Sequence, residues 1–113
     1  YNRSNTVFEY KANGYSCRIP HKYIIYFYSE NKKIHMVTKD SSAQFTGKIK
    51  DIIEILPECF IQIHQSYIIN MNYISECSYE VVKMSGGVAL NISQPYRKTV
   101  RKSIMDYAWG QDD

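Results

Sequence analysis

One stretch departs from simple strand alternation and says most about the chain: FIQIHQSYIIN, residues 60–70. Ile61 and Ile63 alternate with Gln62 and His64, the period-two spacing of a strand with one apolar and one hydrogen-bonding face. The alternation breaks at His64-Gln65-Ser66 and resumes as Tyr67, Ile68 and Ile69, ending at Asn70. This predicts strand, polar turn, strand. Such a turn holds donor and acceptor side chains on a rigid base, which suits contact with base edges or phosphates.

Short strands account for most of the remaining chain. Residues 6–10 and 15–19 flank Asn13-Gly14, a pair that supplies the positive φ angles of a tight hairpin turn. After Pro20, residues 23–28 and 34–38 predict a second hairpin whose tip is the polar loop Ser29-Glu30-Asn31-Lys32-Lys33, and Gln44-Phe45 is a short strand. Ile49, Ile52, Ile53 and Leu56 recur at helical spacing, with Thr46 as the expected cap and Pro57 as the stop. Strand patterning returns at residues 60–63, 67–70, 74–77 and 79–84, and Gly86-Gly87 turns the chain into residues 88–92. Ser93 is placed to cap a closing helix beginning near Pro95, with Tyr96, Val100, Ile104 and Tyr107 inward and Arg97, Lys98, Arg101 and Lys102 on the flank. No internal repeat or linker interrupts the sequence. The prediction is one mostly-β domain over residues 1–113, with one short internal helix and a C-terminal helix.

Composition supports a packed domain: 113 residues, 44% hydrophobic and 22% charged, exclude a disordered tail as the main content. The net charge of +3 is mild, so position matters more than total. Cations gather at Lys32-Lys33, at Lys48 and Lys50, and from Arg97 to Lys102, while the chain closes on the acidic Gln111-Asp112-Asp113. Cys17, Cys59 and Cys77 are widely spaced and contain no C-x-x-C pair, which gives neither a zinc site nor a disulfide framework. Neither a run of roughly 18 apolar residues nor a leader pattern occurs. A cytoplasmic setting is expected. The first residue is Tyr1 rather than Met, from which we expect a longer polypeptide with a regulatory domain upstream.

No nucleophile, base and orienter assemble from the sequence. The histidines lie in separate segments, and neither a G-x-S-x-G elbow nor a phosphate-cradling glycine loop is present. An enzyme is therefore not expected, nor any cofactor or metal.

Taken together, several ordered motifs resemble the LytTR DNA-binding family. LPECFIQIHQSYIINMNYI is similar to its histidine-x-serine core, HKYIIYFYSENKKIHMVT to its first strand pair, FTGKIKDIIEILP to the preceding helix, and GGVALNISQPYRKTVRK to its final strand, serine turn and basic helix start. The match covers about residues 19–102. It implies an elongated stack of antiparallel sheets, about nine to ten strands, and recognition of double-stranded DNA by loops entering successive major grooves. It further implies the output domain of a bacterial response regulator, acting on direct-repeat sites as a homodimer. Carried over by position, the contacting loops fall at Asn31, Lys32 and Lys33, at His64, Gln65 and Ser66, and between Ser93 and Tyr96. Base contacts are expected from His64, Gln65, Gln94 and Asn31. Phosphate contacts are expected from Lys32, Lys33, Ser66, Tyr96, Arg97 and Lys98.

The chain departs from the family pattern at Gln62, Gln65 and Gln94, where many members carry arginine. Glutamine suits adenine better than guanine, and fewer cations make binding weaker and less salt-dependent. Each candidate also has a plainer role. His64 can brace its turn through backbone, Ser66 and Asn70 can satisfy local groups, the basic run can be the wet face of a helix, and the eleven tyrosines can serve cross-strand packing. A protein-interaction or dimerisation module that has kept the fold and lost tight DNA binding is the competing expectation.

Overall fold

Alternation and turn chemistry produce ten strands, all paired antiparallel, in the computed structural model, which describes residues 7–109. The expected strand start at Thr6 and the acidic end at Gln111, Asp112 and Asp113 lie outside those residues. β1 (Val7–Ala12) and β2 (Tyr15–Pro20) form a separate hairpin. β3 (Ile24–Glu30), β4 (Lys33–Thr38), β5 (Ser42–Thr46), β6 (Phe60–His64) and β7 (Tyr67–Asn70) build a central sheet in the order β5-β4-β3-β7-β6. β8 (Ile74–Cys77), β9 (Val81–Met84) and β10 (Ala89–Asn91) make an outer sheet. The internal helix is α1 (Ile49–Ile55), and the closing helix is α2 (Arg97–Ile104), which runs on as a π-helical turn, Met105–Trp109.

The central sheet is apolar on both faces, so it has to be covered twice. On one side Ile24, Phe27, Ile34, Met36, Phe60 and Ile68 meet Phe8 of β1 and Ile49 and Ile52 of α1. On the other, Ile25, Ile63 and Ile69 meet Val82 and Met84 of the outer sheet and Val100 and Ile104 of α2. Ile68 and Ile69 are consecutive, fully buried, and belong to different cores. Fully burying side chains of this size contributes about 1.5–3 kcal/mol each. The uninterrupted apolar run after the polar turn is thus the mark of a strand buried on both faces.

Asn70 is the most deeply buried polar side chain among the described residues. Only 1% exposed, it donates its amide N–H to the Ile24 carbonyl at 2.8 Å and accepts from the Asn72 backbone N–H at 3.0 Å. The second bond caps the single 3-10 turn Met71–Tyr73, which swings the chain from the central to the outer sheet.

Four local expectations change. Thr46 does not cap α1. It is the last residue of β5, in register with Lys33, because the sheet ladder claims it; Lys48 stands at the helix start without a side-chain cap. Ser93 likewise makes no side-chain cap, and a 3-10 turn, Gln94–Tyr96, precedes α2, which begins at Arg97. The strand expected from Tyr79 begins at Val81, since the Ser78 hydroxyl accepts from the Glu80 and Val81 N–H groups and holds the preceding residues as a turn. The five-residue tip of the β3–β4 hairpin contracts to two, Asn31 and Lys32, because Glu30 and Lys33 pair directly.

Candidate nucleic-acid interface

Sheet order places the loops in a row. The β3–β4 tip, the C-terminal end of β5 and the β6–β7 turn all emerge at one end of the central sheet: Glu30 pairs with Lys33, Lys33 with Thr46, and His64 with Tyr67, itself in register with Tyr28. Backbone bonds fasten the row. Ser29 N–H donates to the Ser66 carbonyl at 3.0 Å, joining hairpin to turn, and Ser93 N–H donates to the Ile63 carbonyl at 2.9 Å, docking the loop before α2 beside β6.

Between these loops lies an open cleft of about 600 Å³. Its walls include Asn31, Lys32, Gln65, Ser66 and Tyr96 of the expected contact residues, with Gln62, Gly47, Lys48 and Lys50 beside them. Among the described residues of the wall, Lys32, Lys48 and Lys50 stand against one carboxylate, that of Glu30, and all three lysines are exposed. The ion pairs found among the described residues, Arg18–Glu9, Lys83–Glu76 and Lys102–Asp106, do not involve them. The cleft therefore offers uncommitted positive charge.

At the hairpin tip, Asn31 and Lys32 both take positive φ, 53° and 65°. That is the pattern of a type I′ two-residue turn, whose twist matches that of the flanking strands. Asparagine tolerates it; lysine is an uncommon residue there, because its Cβ crowds the following carbonyl.

In the β6–β7 turn, an extra residue, Ile63, forms a β-bulge between Gln62 and His64. Ile63 remains fully buried, and the His64 ring meets Tyr67 edge-on, with centroids 5.6 Å apart. His64 Nδ1 accepts the Ser66 backbone N–H at 3.0 Å, so the neutral ring carries its proton on Nε2. Gln62 is turned inward. Its amide donates to the His64 carbonyl at 3.1 Å and lies 3.5 Å from the Gln65 carbonyl and the Tyr96 hydroxyl. Gln65 itself is exposed.

The remaining candidates fall outside the cleft walls. Lys33, Gln94 and Lys98 are exposed, and His64 is half-buried. Arg97 is directed elsewhere: its Nε–H donates to the Ile92 carbonyl at 3.0 Å, and it lines a separate cavity with Tyr79, Val100 and Arg101. The residues missed as site candidates are Lys48 and Lys50. Their proximity to the hairpin tip depends on the Lys33–Thr46 register, which no local pattern reveals.

On the face shared with the outer sheet, Tyr26, Tyr28, Tyr67 and His35 stack half-exposed, the Tyr28 and His35 rings lying 4.6 Å apart and 5° from parallel. Burial pushes the Tyr26 phenol up, and Tyr28 and Tyr67 nearby add to it.

This architecture has relatives. The profile of the LytTr DNA-binding domain matches residues 15–105. The chain belongs to the LytTR family. A solved LytTr DNA-binding domain, from a putative methyl-accepting/DNA response regulator of Bacillus cereus, superposes with a TM-score of 0.76 at 22% identity, covering 88% of this chain and 96% of that one. No curated protein sequence matches the chain. For this LytTR domain, the motif order read from the sequence and the stack of antiparallel sheets agree with the family match. Among the described residues no helix is long and apolar enough to cross a membrane.

Proposed function

We propose that this LytTR domain binds double-stranded DNA in a sequence-dependent manner, as the output domain of a transcriptional regulator. The observation that carries the reading is the row of loops at one sheet end, surrounding a cleft with three uncommitted lysines and exposed amides at its rim. Cations set the register of a protein on the duplex, and amides read base edges. Lys32, Lys48 and Lys50 take phosphates, with Lys33 and Lys98 on the flanks. Ser66 and Tyr96 offer hydroxyls from the wall.

Gln65, Gln94 and Asn31 present amides suited to adenine N6 and N7 in the major groove. His64 contributes one donor, Nε2–H, since its other nitrogen holds the turn. Gln62 acts as a brace for the turn and not as a reader, because its amide is engaged within the protein. Arg97 serves mainly to fix the start of α2. Binding as a homodimer on direct repeats, and control by an upstream domain, complete the proposal by analogy with the family.

The test is selection of the domain against a random duplex library at low salt, followed by titration of the enriched site against scrambled DNA. An enriched motif bound far more tightly than the scramble is the expected result. Weak, uniform binding without enrichment refutes sequence-dependent recognition. It would favour the second reading, a protein-interaction module, for which the half-exposed stack of Tyr26, Tyr28, Tyr67 and His35 offers a surface.

A further inference from the structure

The β1–β2 hairpin has its own tip at the same end of the molecule as the loop row. Phe8 and Tyr10 fix it there: both rings pack on Phe45 of β5, with centroids 5.7 and 5.4 Å away, and Phe8 also meets Phe27 edge-on at 5.2 Å. Asn13 and Gly14 close the tip at φ 53° and 82°, a tight turn on an anchored base. Lys11 and Asn13 then face Lys33, Gln44 and Thr46 across a concave surface of about 530 Å³.

Among the described residues no carboxylate lines this concavity, whereas two lysines do. It adjoins the cleft through the chain itself, for Lys33 follows Lys32 and Thr46 precedes Gly47, which both stand in the cleft wall. Tyr15, at the same tip, is 73% exposed, more than any other large apolar side chain among the described residues. The family match starts at residue 15, so Lys11 and Asn13 precede the segment that carries the resemblance.

We infer that the N-terminal hairpin tip is an additional DNA-contacting loop, with Lys11 and Lys33 receiving a backbone phosphate beyond those held in the cleft. The inference rests on the proposed DNA-binding reading and extends its footprint. A concave surface lined by two cations and neutral hydrogen-bonding groups fits a sugar-phosphate strand. Its continuity with the cleft gives that strand a path from one to the other.

The experiment titrates the domain with a random-sequence duplex about three helical turns long over a series of salt concentrations. Wild type is compared with Lys11→Ala, Lys32→Ala and Lys39→Ala. Lys39 is an exposed lysine at the opposite end of β4 and reports the effect of net charge alone. Lys11→Ala is expected to make the dependence of log affinity on log salt shallower by about one unit, with Lys39→Ala unchanged. Lys11→Ala matching wild type while Lys32→Ala flattens the slope overturns the hairpin contact and leaves the cleft reading standing. Equal flattening by Lys11→Ala and Lys39→Ala overturns it as a charge effect. No change in any variant overturns both. Lys11 is exposed and makes no core contact, and circular dichroism verifies that the variant is folded.

Discussion

Replacing Lys32 by glycine should make the domain more stable and a poorer DNA binder. Lys32 holds φ at 65° in a two-residue turn, a conformation that costs an L-residue about 1–2 kcal/mol. Glycine escapes that cost but gives up more freedom from the unfolded chain, worth about 0.4–1 kcal/mol. The net expectation is a gain of about 0.5–1 kcal/mol, which for a domain of this size raises Tm by about 3–6 °C. The same substitution removes one of the three lysines of the cleft, so the salt slope of DNA binding should become shallower by about one unit. Thermal unfolding followed by circular dichroism gives the first quantity, and fluorescence anisotropy over a salt series gives the second. Lys32→Asn separates the two effects, since asparagine tolerates the left-handed region without a charge. An unchanged or lower Tm for Lys32→Gly would refute the strain argument. A slope equal to wild type would remove Lys32 from the phosphate set.

Gln65→Ala should alter preference at one base position by about 1–3 kcal/mol; a binding profile identical to wild type across all single-base variants of the selected site would reject its role as a reader. Asn70→Ala strips two hydrogen bonds from a fully buried site and should cost about 2–4 kcal/mol in urea unfolding. A loss within about 0.5 kcal/mol, the range of surface substitutions, would show that the Ile24 carbonyl finds another partner. Burial pushes the Cys59 thiol up, while Cys77 is exposed, so iodoacetamide at mildly alkaline pH should modify Cys77 first; Cys59 reacting as fast would contradict this. Because the folded-state value of Cys59 lies above the unfolded one, its share of stability is intact at neutral pH and is lost as pH climbs through the alkaline thiol range.

Residue type reveals the fold wherever a local rule decides it. Asn13-Gly14 announces its own turn, Pro57 follows the helix it stops, and the two apolar runs around His64-Gln65-Ser66 become β6 and β7 at the expected places. The differences arise where distant partners decide. Nothing about Lys32 proclaims a left-handed turn residue, so the tip reads as a five-residue loop until Glu30 and Lys33 are seen to pair. Thr46 has the chemistry of a helix cap, but the ladder with β4 outweighs it. Gln62 reads as a free amide on a polar face, and only the bulge at Ile63 and the approach of Tyr96 turn it inward. Lys48 and Lys50 enter the cleft because Thr46, just before them, pairs with the distant Lys33. The motif order marked the family; which side chains line the cleft required the register.

The two-sided burial of the central sheet bears on how firmly each loop of the row is held. Amides of β3 and β7, covered on both faces, should exchange with solvent only on global unfolding, whereas those of the outer sheet, which covers only one face, should exchange sooner. The β3–β4 tip and the β6–β7 turn leave from the protected layer. The loop 93–96 leaves from the outer one and is held to β6 by the Ser93–Ile63 bond. A partial opening there would withdraw Gln94 and leave Lys32 and Gln65 in place, so that the loops of one row differ in local stability within one small domain.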